Sequence, residues 1–177
     1  NTLGRVKDSQ ETLRRLMAYL TYDRSKINIY LVGALKNKRI PEIGNLLRKE
    51  NYDVMDEWWT PGEFADLNWQ KYEKIRGRSY REALFGRAAT NIFLFDKSYI
   101  DLSDIVIGVM PLGRSGMLEL GYAKGQNKRV YLFMDGHDIG KYEIMSKFAD
   151  KIFINEKELV EYLRESYQME KLNDTSS

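Results

Sequence analysis

No cysteine occurs in the 177 residues, which excludes disulfides and thiolate chemistry. A reducing compartment is compatible with that, and a cytoplasmic location is the expectation. The single histidine, His137, excludes a multi-histidine metal site and makes a Ser-His-Asp triad a poor prospect. No stretch approaches the ~20 apolar residues that a membrane span needs, and no charged-then-apolar leader opens the chain. Charge of one sign is also missing. The net charge is +2, with acids and bases interleaved, so there is no clustered basic face for a nucleic-acid backbone. The first residue is Asn1, not Met, and the expectation is a fragment or a processed chain. What remains is the composition of an ordinary globular protein, long enough for one compact domain with a sizeable core.

Apolar periodicity divides the chain into three parts: an arm over 1–26, an α/β domain over 27–167 and a flexible tail over 168–177. In the arm, Leu13, Leu16, Met17 and Leu20 make the stripe of an amphipathic helix. Ile27 to Val32 is a β-branched run stopped by Gly33, the pattern of a buried first strand. A helix is expected from Ile40 to Lys49, with Pro41 in its first turn, then a second strand over Tyr52–Met55. Residues 56–78, with three tryptophans, read as a partly helical insertion. A helical stripe covers Ser79 to Phe95, and Ile105 to Met110 is the clearest central strand. A helix from about Met117 to Gln126, a strand over Val130–Met134, a helix over Ile139–Ala149, a strand over Lys151–Ile154 and a last helix over Glu156–Glu165 complete the pattern. Strands alternating with helices predict a doubly wound, flavodoxin/Rossmann-like parallel sheet of about five strands.

In such sheets ligands bind beyond the carboxyl ends of the strands. Three segments reach that crevice: Gly33-Ala34, Asp56 to Trp59, and Pro111 to Glu119. In the third, Gly113 and Gly116 let a ligand approach the main chain, and Ser115 or Gly116 begins a helix whose free N–H groups attract oxyanions or sugar hydroxyls. Glu119 is the only carboxylate between Gly113 and Gly125. From the residues alone it reads either as a first-turn acid favoured by the helix dipole or as a group facing the crevice. Gly121 and Gly125 read as close-packing positions. Trp58 or Trp59 stacks on a base or closes the core, and Asp56 contacts a ligand or ends a turn. Arg114 binds a phosphate or is solvated, and Tyr122 bonds Glu119 or packs. Arg76, Arg78 and Arg81 form a phosphate-binding cluster or a charged helix face. Asp104 marks strand entry, and His137 lies in a surface turn.

The run Ile29-Tyr-Leu-Val-Gly33, the spacing Asp96-x7-Asp104-Ile-Val-Ile, the loop Gly113-Arg-Ser-Gly116 and the run Glu119-Leu-Gly-Tyr-Ala123 together resemble the nucleoside 2-deoxyribosyltransferase superfamily, which includes deoxynucleoside 5′-monophosphate N-glycosidases. The resemblance spans residues 27–163. It implies that Glu119 is the nucleophile at the anomeric carbon and that Asp96 assists at the base or positions the sugar. The crevice beyond the strand ends is expected to place the substrate among Gly33, Ala34, Asp56, Trp58, Trp59, Gly113, Arg114, Ser115, Gly116 and Tyr122. The resemblance further implies a homodimer or larger assembly. No metal or organic cofactor is expected, and the partner is a small nucleoside or nucleotide, neither nucleic acid nor membrane. Where the family commonly has small residues and a threonine before the glutamate, this chain has Arg114, Met117 and Leu118. Two other readings stand beside this one: hydrolysis of another N-glycosidic nucleotide such as NAD, and a non-catalytic nucleotide-sensing module carried by the 1–26 arm.

Overall fold

The computed structural model describes residues 12, 13, 16, 17, 19–135 and 143–174. Five strands form one parallel sheet in the order β2-β1-β3-β4-β5. They are β1 (Asn28–Val32), β2 (Asp53–Met55), β3 (Ile105–Val109), β4 (Arg129–Phe133) and β5 (Lys151–Phe153). The helices are α1 (Arg39–Lys49), α2 (Ala65–Ile75), α3 (Tyr80–Leu84), α4 (Arg87–Leu102), α5 (Arg114–Gly125) and α6 (Glu156–Asp174), with 3-10 turns at Glu57–Trp59 and Ile144–Phe148. This is the predicted doubly wound architecture, and its strand order reverses between β1 and β3.

Period-two alternation along β1 sorts its side chains to two faces. Ile29 and Leu31 join Ile40, Ile43 and Leu47 of α1 and Leu159 and Leu163 of α6 in one buried cluster. Tyr30 and Val32 point to the other side, against Ile100 of α4 and Leu120 and Ala123 of α5. Each residue of β3 is buried, as a strand covered on both faces requires.

Three helices stop by the same device. After α1, α2 and α5 the chain enters the left-handed region at Asn51 (φ 68°), Gly77 (φ 70°) and Asn127 (φ 60°). The next amide then reaches back inside the helix: Tyr52 N to Leu47 O, Arg78 N to Glu73 O, and Lys128 N to Ala123 O. Asparagine and glycine tolerate that backbone, and the bond satisfies a carbonyl the helix end would otherwise orphan. A reciprocal Ser79–Glu82 capping box starts α3.

Several boundaries differ from expectation. The stripe over 79–95 splits at Phe85–Gly86, and its second part continues as α4 to Leu102. The tail is helical through Asp174, past the expected stop at Glu165. Residues 144–148 form a 3-10 turn where an α-helix was expected, and 139–142 lie outside the described residues, as does His137. Gly121 and Gly125 are not close-packing positions, because a Cβ at either would meet nothing within 4 Å. The close approaches that bear on α5 are at Gly108 and Gly116. A Cβ at Gly108 would sit 2.9 Å from Leu120 Cδ1 and 3.0 Å from Leu112 Cδ1, and one at Gly116 3.0 Å from Val32 Cγ1. These two glycines let the start of α5 settle onto the ends of β1 and β3.

Candidate active site

Glu119 is the sixth residue of α5, so it belongs to the second turn, not to the first as expected. That removes the reading of a capping or dipole-favoured acid, whose effect is confined to the first turn. With α5 held low by Gly108 and Gly116, its carboxylate comes close enough to Asp96 of α4 for the Asp96 charge to act on it. Tyr30 of β1, 1% exposed, lies within reach of both charges. The Tyr30 hydroxyl bonds the Asp96 carboxyl and feels both carboxylate charges. Asp96 Oδ1 is buried and has no hydrogen-bond partner among the described residues.

Burial, only slightly offset by the bond from Tyr30, pushes Asp96 up to about 6. Burial first, and the Asp96 charge second, push Glu119 up to about 7. The same burial, with the two nearby carboxylates, holds the Tyr30 hydroxyl well above its ordinary range, so it stays a proton donor. Among the described residues no cation offsets either carboxylate. Two acids displaced toward neutrality in one crevice are the usual signature of acid–base or nucleophilic work, since a structural pair would be neutralised by a lysine or arginine.

Sequence reading missed two participants. Tyr30 was hidden inside an apolar strand run. The only signal was a hydroxyl-bearing ring among aliphatic residues, which must find a partner when buried. Asn37 stands in the loop after β1 and is 7% exposed. Its Nδ2 donates to Val109 O (3.0 Å) and Met110 O (3.1 Å), while its Oδ1 accepts from Arg39 N (3.0 Å). It thereby ties the β1 loop to the exit of β3, where the Met110–Pro111 peptide is cis and the lead into α5 begins.

The other expected site residues separate. Gly33 and Ala34 lie in the loop after β1, Gly113 caps α5, and Arg114, Ser115 and Gly116 are the first residues of that helix; Gly113 to Ser115 are exposed and Gly116 is buried. Asp56 is 8% exposed and ion-paired with Arg48, which also donates to Val54 O. The Trp58 indole donates to Leu31 O (2.7 Å), capping β1 where the shorter β2 has ended. Trp59 packs on the α1 side of the core. Tyr122 donates to Asp101 Oδ1 (2.7 Å) on α4 and not to Glu119. Asp104 accepts from Asn28 N, as a strand-entry residue would. Arg76 and Arg78 both pair with the buried Glu73, so that cluster is occupied from within. Among the described residues no group of three metal-ligating side chains occurs, and no helix is long and apolar enough to cross a membrane.

No family model matches this sequence, and no curated protein does. Among solved structures, a 2-deoxyribosyltransferase of Bacillus psychrosaccharolyticus matches over 75% of this chain and 90% of its own, at 18% identity and a TM-score of 0.53. A CMP N-glycosidase of Clostridium botulinum matches over 77% and 97%, at 16% identity and a TM-score of 0.41. At 18% identity the likeness to the transferase is one of fold, and the chain shares its α/β architecture with an enzyme of the class that the Glu119-Leu-Gly-Tyr-Ala123 run resembles.

Proposed function

We propose that this protein cleaves or exchanges the N-glycosidic bond of a 2′-deoxynucleoside or its 5′-monophosphate. The observation that carries this is the Asp96–Glu119 pair: two half-buried carboxylates, uncompensated by any cation among the described residues, that act on each other and on Tyr30. The shared fold with a 2-deoxyribosyltransferase supports it. Ionised Glu119 attacks C1′ as the bond to the base breaks, through an oxocarbenium-like state that a carboxylate stabilises and traps as an ester. The bonding electrons leave with the base, which takes a proton from Asp96. Water then releases the free sugar, or a second base attacks C1′ and restores an N-glycoside; Glu119 departs as carboxylate in both cases. Burial raises both acids toward neutrality, so the pair still holds one proton between about 6 and 7, and the working state is the tautomer in which that proton has passed from Glu119 to Asp96. The residues present need neither metal nor organic cofactor for these steps.

A cytoplasmic homodimer or larger assembly belongs to the same reading. Phe93 (62% exposed) on the helix of Asp96 and Leu118 (76% exposed) beside Glu119 leave apolar surface next to the pair. A second copy would cover it. Sedimentation of the purified chain as a monomer at micromolar concentration would remove that part.

The central test incubates the protein with ribo- and deoxynucleosides, their 5′-monophosphates and NAD, with and without free base, and follows base release by chromatography. Deoxy substrates are expected to lose their base, and Glu119→Gln to lower that rate about a thousandfold or more. Ligand binding with no base released would leave a sensing module instead, and full activity in Glu119→Gln would refute the assignment.

A further inference from the structure

β2 is one edge strand of the sheet, and residues 21–23 are bonded to its first residue and to α4. Thr21 Oγ1 and the Tyr99 hydroxyl are 2.9 Å apart, Tyr22 donates to Tyr99 O (2.9 Å), and Asp23 N donates to Asp53 Oδ2 (2.7 Å). Between this segment, β2 and α4 remains a cleft of about 280 Å³ that neither Asp96 nor Glu119 lines. Its walls include the rings of Tyr22, Phe95 and Tyr99 and the carboxylates of Asp53 and Glu57. Tyr22 and Tyr99 stand 5.4 Å apart at 65°, and Phe95 and Tyr99 4.8 Å apart at 58°, so the rings form an angled cluster rather than a stack.

The two carboxylates differ from their neighbour Asp56, which Arg48 neutralises. Asp53 accepts from Asp23 N and Glu57 from Asp56 N, and no lysine or arginine among the described residues pairs with either. Burial, and then the charges around it with Asp53 first and Glu57 among them, hold the Tyr22 hydroxyl above its ordinary range. Unneutralised negative charge beside aromatic rings favours a weakly hydrated positive group and repels phosphates and carboxylates.

We propose that this cleft is a second binding site, for a small organic cation of the ammonium class, held by the rings of Tyr22, Phe95 and Tyr99 and the carboxylates of Asp53 and Glu57. Its volume lies just under the range of about 300–1,000 Å³ usual for small-molecule sites, so the ligand is a compact cation and not a nucleotide. The rings supply quadrupole attraction and apolar contact, and the carboxylates supply the charge.

The probe is choline, set against its uncharged carbon isostere 3,3-dimethylbutan-1-ol, with ionic strength matched by sodium chloride. Calorimetric titration of the full chain is expected to show saturable choline binding, about tenfold or more tighter than the alcohol. Glu57→Gln is expected to weaken it about tenfold. Phe95→Leu, at a side chain 42% exposed, is expected to weaken it too, and it decides the matter if Glu57→Gln fails to fold. Glu119→Gln should leave it unchanged, and loss there would move the cation to the catalytic pair and overturn the proposal. Absence of saturable choline binding, equal binding of the alcohol, or unchanged affinity in the folded cleft variants would overturn it as well.

Discussion

At the scale of the residue, the two carboxylates behave as one titrating unit. With Asp96 near 6 and Glu119 near 7, the pair holds a single proton between those values. By those values the shared proton rests mainly on Glu119, and in the proposed mechanism the working form is the minority tautomer, with the proton on Asp96 and the charge on Glu119. The profile of kcat/KM against pH should therefore be a bell, falling below about 6 as the pair gains a second proton and above about 7 as it loses its last. Asp96→Asn removes the like charge that raises Glu119. Its residual activity should lose the alkaline limb and show the acidic limb displaced downward. A Glu119 carboxyl that titrates at the same pH in both proteins, followed by carbon-13 NMR, would disprove the coupling.

Element packing explains why that pair exists and why its two carboxylates, but not their surroundings, could be read in advance. Glu119 was recognisable because the glycines and the Glu-Leu-Gly-Tyr-Ala run surround it within a few positions, and Asp96 because of its spacing to Asp104. Tyr30 and Asn37 were not, since their partners lie far along the chain: Tyr30 bonds Asp96, and Asn37 bonds Val109 and Met110. Asp56, Trp58 and Tyr122 carried plausible ligand chemistry, yet Arg48, the Leu31 carbonyl and Asp101 use it instead. The alternation of strands and helices was legible because period-two and period-3.6 patterns are local, whereas a split such as Phe85–Gly86 depends on tertiary packing. The seating of α5 follows from Gly108. Gly108→Ala places a methyl against three leucine side chains and should cost about 1–3 kcal/mol in urea unfolding. It should also lower kcat by lifting Glu119 from its place. Asn37→Ala should lower kcat through the same loop, and unaltered turnover in both variants would contradict this account of the seating.

For the whole molecule, the pair is a local cost to stability. Both carboxyls have folded values above their ordinary ones of 3.8 and 4.5. Their contribution is therefore fully present below about pH 4 and is lost as pH rises through about 6 and then 7. The melting temperature should decline over that interval, other groups being equal. Glu119→Gln should then be more stable than the parent at pH 8, by about 1–3 kcal/mol, with the difference vanishing near pH 4. Equal melting curves at both pH values would count against buried ionisation.

The opposite rim of the sheet is built differently. Asp104 accepts from Asn28 N, Asp150 from Val130 N, and Lys128 donates to the carbonyls of Asp101 and Ser103, so strand starts are clamped by side chains. These clamps sit at the strand starts, away from the strand ends near which Glu119 is proposed to act. A fluorophore, a resin tether or a fused protein joined at the exposed Asn127 turn would thus hang from the strand-start side of the molecule, leaving the proposed site unobstructed.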